Sequence, residues 1–223
     1  MSATKSMPAM PDSESSFMHG SYRLAYEMYG PASGMPIILI HGVLLNTHCN
    51  RDIAGWLSAE GHRVILLDLL GHGRSDKPLK ATEYRVDFYA EQVLGLMDHL
   101  GLERAVLGGL SLGAITALTV ACLAPLRVSA LFLEMPVAET STPGAALILV
   151  PLLAIAHYAR PAWRVFARLM RRIPDTRNAL LNSAIHSGRA EPEVICAILH
   201  GVLVGPIVPS MRRRQLVHQP VLA

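Results

Sequence analysis

The sequence predicts an α/β fold, a mainly parallel, doubly wound sheet followed by a helical region. Three observations predict it. Between residues 35 and 134, short apolar runs that read as buried strands alternate with segments of helical spacing. One of these strands, residues 105–110, runs straight into Gly109-x-Ser111-x-Gly113 and then a helix of small residues. After Glu134 the strand patterns stop, and helical patterns separated by Pro and Gly take over.

Taken in order, residues 1–17 are rich in Ser, Pro and Met and lack an apolar run, so they read as a disordered tail and not a signal segment. His19-Gly20-Ser21 has the composition of a hairpin turn, and residues 22–28 alternate as its second strand. Residues 35–40 form a buried-strand pattern that ends in His41-Gly42. Residues 47–59 are expected as the first helix, with Trp56 and Leu57 toward the sheet. Residues 63–68 are a further apolar strand, closed by the turn Gly71-His72-Gly73-Arg74-Ser75. In residues 84–100, Val86, Tyr89, Ala90, Val93, Leu96, Met97 and Leu100 recur at helical spacing, and Gly101 ends the helix. Residues 129–134 supply the next strand. The division is therefore a tail at 1–17, a core at 18–135, a helical cap at 136–212 and the start of a return to the core at 213–223, where a strand pattern resumes at Gln219.

At 223 residues, with 51% hydrophobic and 17% charged residues, the chain suits one domain with a sizeable core. A net charge of +3 is too small to argue for nucleic acid. Cys49, Cys122 and Cys196 are odd in number and lack C-x-x-C spacing, which suits reduced thiols in a cytoplasmic protein. Residues 145–156 are apolar but fall short of the roughly 20 needed to cross a bilayer, and Pro151 interrupts them. A buried lid helix without stable membrane insertion is expected there. Arg164, Arg168, Arg171 and Arg172 share one helical face opposite Val165, Phe166, Leu169 and Met170. That pattern suits an ordinary solvated face, with acidic substrates or anionic lipid as the sharper alternative. The sequence shows neither a His/Cys/carboxylate cluster at metal-ligand spacing nor a phosphate-cradling loop, so no metal and no cofactor is called for.

The strand ending in His41-Gly42, the turn after Asp68, the Gly109-x-Ser111-x-Gly113 elbow and the strand ending in Glu134 stand in the order and spacing of one family. Over residues 19–135 the chain resembles the α/β-hydrolase superfamily, in its serine-nucleophile esterase, haloperoxidase-like or C–C hydrolase-like branches. The resemblance implies an α/β-hydrolase sheet with a helical cap inserted after the sixth strand, and with the last strands missing or incomplete. It implies Ser111 as nucleophile, flanked by the elbow glycines Gly109 and Gly113. The oxyanion donors would be the N–H groups of Leu112 and Val43, with Leu44 as the alternative to Val43. His41 and Gly42 would support the oxyanion loop, and His72 would be structural. Glu134 is a candidate acid, although the family's usual acid follows the seventh strand. His48, His157, His186, His200 and His218 are not singled out as base by any spacing.

Dehalogenases and epoxide hydrolases of this superfamily place aspartate at the elbow, so serine implies acyl chemistry. Two expectations follow: a hydrolase cleaving a small or medium apolar ester, or a truncated or degenerate relative that binds ligand without turnover. The partner expected is a small apolar molecule, and oligomeric state is left open.

Overall fold

A computed structural model describes residues 10–136, 142–176, 178–204 and 221–222. Its centre is a seven-stranded sheet in the order β1-β2-β4-β3-β5-β6-β7. The strands are β1 (Ser13–His19), β2 (Tyr22–Tyr29), β3 (Pro36–Ile40), β4 (Arg63–Leu67), β5 (Ala105–Leu110), β6 (Val128–Glu134) and β7 (Val221–Leu222). β2 runs antiparallel to both β1 and β4, and the remaining neighbours are parallel. Strands β3, β4 and β5 are buried on both faces, which is why they read as continuous apolar runs.

Helices α1 (Arg51–Ala59), α2 (Val86–His99) and α3 (Leu112–Leu123) cover the sheet. The predicted stripe of α2 is the one it buries: Tyr89, Ala90, Val93, Leu96 and Met97 lose all exposure. Helix α3, rich in small residues, is buried along most of its length and packs against β5 and β6. Beyond β6 come α4 (Thr142–Tyr158), α5 (Arg160–Met170), α6 (Ala179–Gly188) and α7 (Pro192–Val204). Of these, α7 is embedded in the protein: Val194, Ala197, Ile198 and Val202 join the main core cluster beside Tyr84 and Tyr89. Val221 and Leu222 then pair with Leu131 and Phe132 of β6.

Four expectations need correction. The tail does not reach residue 17, because Ser13–His19 pairs along its whole length with β2 and Phe17 inserts into the core. Backbone pairing and one buried aromatic outweigh the polar composition. Trp56 does not face the sheet: it is 64% exposed, and Ala54 and Leu57 make the contact. The helix expected over residues 47–59 begins as a 3-10 turn at Thr47–Asn50, where the Asn46 side chain caps the His48 N–H. Finally, α4 is not a buried lid helix interrupted at Pro151. It continues through that proline and buries one face only, leaving Leu147 78% exposed. Residues 205–220, including the end of the predicted cap and His218, lie outside the described residues.

Candidate active site at the β5–α3 elbow

β5 delivers Ser111 to the turn before α3, where its backbone adopts φ 52° and ψ −108°, a conformation L-residues rarely occupy. The flanking glycines make this turn possible. A Cβ on Gly109 would collide with the main chain of Gly113, and one on Gly113 would collide with the carbonyl of Ile40 at the end of β3. The helix start is thus pressed against the residues that lead into His41-Gly42. The turn is held open by Ser111 N–H donating to the Glu134 carbonyl at 2.9 Å, and by Ile115 N–H donating to the Ser111 carbonyl at 3.1 Å. The Ser111 side chain is part-exposed, at the N-terminus of a helix whose first amides, Leu112 among them, have no intrahelical acceptor.

The loop after β3 is fixed by two histidines whose rings lie 4.8 Å apart. His41 Nε2 accepts from Leu69 N–H at 3.1 Å, so its Nδ1 carries the proton and donates to the Gly42 carbonyl at 2.8 Å. His72 Nε2 accepts from Leu44 N–H at 3.1 Å and its Nδ1 donates to the Leu70 carbonyl at 2.9 Å. Burial keeps both rings neutral: it lowers the pKa of His41, and that of His72 falls well below the ordinary value, with His41 adding to the effect. Val43 and Leu44 differ in their amide partners. The Leu44 N–H, on a residue with φ 57°, is already committed to His72. Among the described residues the Val43 N–H has no acceptor.

A buried ionic network sits behind the loop. Glu27, on β2 and fully buried, accepts from Arg51 Nη2 at 2.7 Å, Arg74 Nη2 at 2.8 Å, Thr47 Oγ1 at 3.0 Å and Tyr29 Oη at 2.8 Å. Burial alone would raise its pKa, but Arg51, Tyr29 and Arg74 outweigh burial and hold it below the usual carboxylate value. Asp68, just after β4, accepts the N–H groups of Thr47 at 2.8 Å and Arg74 at 3.0 Å. Sequence reasoning passed over this network; its one visible sign is an acid at position 27 within a buried apolar alternation.

The cap reaches the same loop. Asn46 N–H donates to Ser183 Oγ at 3.1 Å, and the ring of His48 lies 4.3 Å from that of His186. Val43 and Leu44 pack on a cluster formed by Ala156, Ile195 and Leu199. Between cap and core lies a cavity of about 480 Å³ whose walls include Leu44, His48, His72, His186 and Ile195. Ser111 is not among its lining residues.

No sequence spacing signalled that His48, Asp175 and His186 come together with ligand atoms within 4.8 Å of one another. His186 Nε2 lies 2.8 Å from Asp175 Oδ1, and the guanidinium of Arg189 lies 3.1 Å from His186 Nε2 and 3.8 Å from Asp175 Oδ1. Glu134 is brought to the elbow by its carbonyl; its carboxylate is exposed, and among the described residues no histidine bonds to it. His157 and His200 are exposed on the cap. Among the described residues none hydrogen-bonds to the Ser111 hydroxyl.

A sequence model of the alpha/beta hydrolase fold matches residues 35–162, from the start of β3 into α5. The chain belongs to the α/β-hydrolase fold family. Among curated proteins, a haloalkane dehalogenase of Mycolicibacterium paratuberculosis is 32% identical over 158 residues, 70% of this chain and 48% of that protein. The acetyltransferase component of the acetoin cleaving system of Pseudomonas putida is 40% identical over 119 residues, 51% of this chain and 30% of that protein. The chain thus spans about half, or less, of these curated relatives. Among solved structures, a hydrolase from Pseudomonas aeruginosa superposes with a TM-score of 0.71 at 21% identity, covering 94% of this chain and 78% of that one. The enol-lactonase of Burkholderia xenovorans gives 0.68 at 20% identity, covering 93% and 79%. These two likenesses establish the fold. Among the described residues, no helix of this α/β-hydrolase chain is long and apolar enough to cross a membrane.

Proposed function

We propose that this chain is a serine hydrolase that cleaves small or medium apolar esters, with Ser111 as nucleophile. Ser111 Oγ attacks the ester carbonyl and its proton passes to a base that the described residues do not place. The Val43 and Leu112 N–H groups hold the tetrahedral oxyanion, the alcohol leaves, and water then releases the acyl group. His41 and His72 act as neutral struts of the oxyanion loop, and Gly109 and Gly113 keep the elbow tight. Glu134 serves through its carbonyl, with no part for its carboxylate.

The observation that carries the proposal is the strained, part-exposed Ser111 at the head of α3, on a turn against which the loop after β3 packs through Gly42 and Leu110. Serine also separates this chemistry from that named for the dehalogenase relatives. A serine attacking an alkyl halide would leave an ether, which water does not hydrolyse, whereas attack on an acyl carbon leaves an ester, which it does.

A series of p-nitrophenyl esters of rising chain length tests this, read for the wild type and Ser111→Ala. Hydrolysis should be greatest for short to medium acyl chains and fall roughly 10³- to 10⁴-fold or more in the variant. Equal rates for the two proteins would refute Ser111 as nucleophile.

A further inference from the structure

Helix α5 differs from the other helices in what it leaves uncovered. Its sequence, RPAWRVFARLM, continues into Arg171 and Arg172, so residues 160–172 contain five arginines and no acid. At 100° per residue, Arg160, Arg164, Arg168, Arg171 and Arg172 fall on one side. Trp163, Ala167 and Met170 form the edge that rests on the protein, and only Ala167 is fully buried. On the third side, Val165, Phe166 and Leu169 remain 53%, 42% and 51% exposed. An amphipathic helix ordinarily turns its apolar face to the core. Here about half of each of these three side chains stays in water, bordered by arginines.

The preceding helix repeats the departure. Helix α4 carries no Asp, Glu, Lys or Arg, and Leu147, Val150, Ile155 and Tyr158 fall on one of its sides, all exposed, Tyr158 to 84%. Ala159 alone separates the two helices. Arg164 pairs with Glu193 at 2.5 Å and Arg171 with Glu191 at 2.6 Å. Among the described residues Arg168 and Arg172 have no carboxylate partner, so two exposed cations adjoin the apolar face uncompensated.

We propose that α5, with the exposed stripe of α4, is a peripheral docking surface for an anionic lipid bilayer. An aromatic and aliphatic face bordered by arginines, on a helix of 11 residues too short to span, is the pattern that lies in the headgroup plane. The apolar side chains enter the acyl boundary and the free arginines meet lipid phosphates and carboxylates. Charge selects the occupant: a neutral apolar partner would leave Arg168 and Arg172 unused, and an anionic membrane engages both. This surface is independent of the elbow chemistry, so it stands or falls apart from the assignment of Ser111.

The full chain is sedimented with vesicles of pure phosphatidylcholine and with vesicles containing 30% phosphatidylserine. Binding should require the anionic lipid and weaken as salt rises from low to physiological concentration. Arg168→Ala/Arg172→Ala should lower partitioning about 20- to 30-fold, at about 1 kcal/mol per arginine near the surface. Val165→Ser/Leu169→Ser should abolish stable pelleting while leaving the circular dichroism and melting transition unchanged, because both side chains are already half in water. Equal binding to both vesicle types, no binding to either, or a concentration-dependent dimer that Val165→Ser/Leu169→Ser disperses in the absence of lipid would each overturn the proposal; the last would assign the face to a second copy of the chain.

Discussion

The two halves of this molecule use apolar residues in opposite ways. In the core, the strands β3, β4 and β5 and the stripe of α2 place their hydrophobic residues at or near zero exposure. In the cap, α7 does the same, whereas α4 and α5 hold Leu147, Tyr158, Val165 and Leu169 in water. Such burial is worth roughly 25 cal/mol per Å². The strands of the core therefore bury more of their apolar surface than α4 and α5 do, and the helices after β6 meet the core through α7, the apolar packing of Val43 and Leu44 and the Asn46–Ser183 contact. A half built on fully buried strands carries Ser111, and it is joined to a half that keeps apolar side chains in water.

The sharpest way to break that contrast is at the elbow. Gly113→Val should prevent folding or cost more than about 4–5 kcal/mol, because its side chain would occupy the Ile40 carbonyl. Soluble yield and a denaturant melt read the outcome. Next in size, Glu27→Gln strands Arg51 and Arg74 in the buried network and should cost about 3–5 kcal/mol. The native network also loses strength as pH falls through the lowered pKa of Glu27, because stability is complete only above the unfolded carboxylate value of 4.5. The variant should lack this loss.

How much of this was legible in the sequence follows the same division. Ser111, Gly109 and Gly113 were readable because a strand pattern, two glycines and a helix pattern constrain a single turn from within ten residues. The α2 stripe was readable because its period survives in the sequence. The Glu27 network was hidden, since its members come from β2, α1 and the turn after β4 and meet only in the folded state. The bond from the Leu44 N–H to His72, 28 residues away, was equally hidden, because the two meet only in the folded chain. Trp56 was misplaced because helical spacing alone does not say which edge of α1 the sheet covers. The helices α4 to α7 show helical spacing in the sequence, but composition does not reveal which apolar face finds a partner.

The joint between the halves should be sensitive to acid. Burial, with Arg51 and His186 adding to it, presses the pKa of His48 down to about 4 from 6.5. Between those values the unfolded chain binds the proton and the folded one does not. His48 thus leaves stability intact above pH 6.5 and removes it progressively toward pH 4, by about 3 kcal/mol in all. A His48→Phe variant should flatten part of the acid side of a stability–pH curve, with His41 and His72 supplying the remainder. Smallest of all, Trp56→Ala should change stability by less than about 0.5 kcal/mol, because that ring is 64% exposed. A cost above 2 kcal/mol would mean that α1 packs as the sequence first suggested.

The decisive measurement is covalent labelling with a fluorophosphonate, followed by peptide mass analysis. An activated hydroxyl at the β5–α3 turn predicts a single adduct on the peptide carrying Ser111, lost in Ser111→Ala while the variant keeps its melting transition. An adduct elsewhere, equal labelling of the two proteins, or no adduct on a folded chain would contradict it.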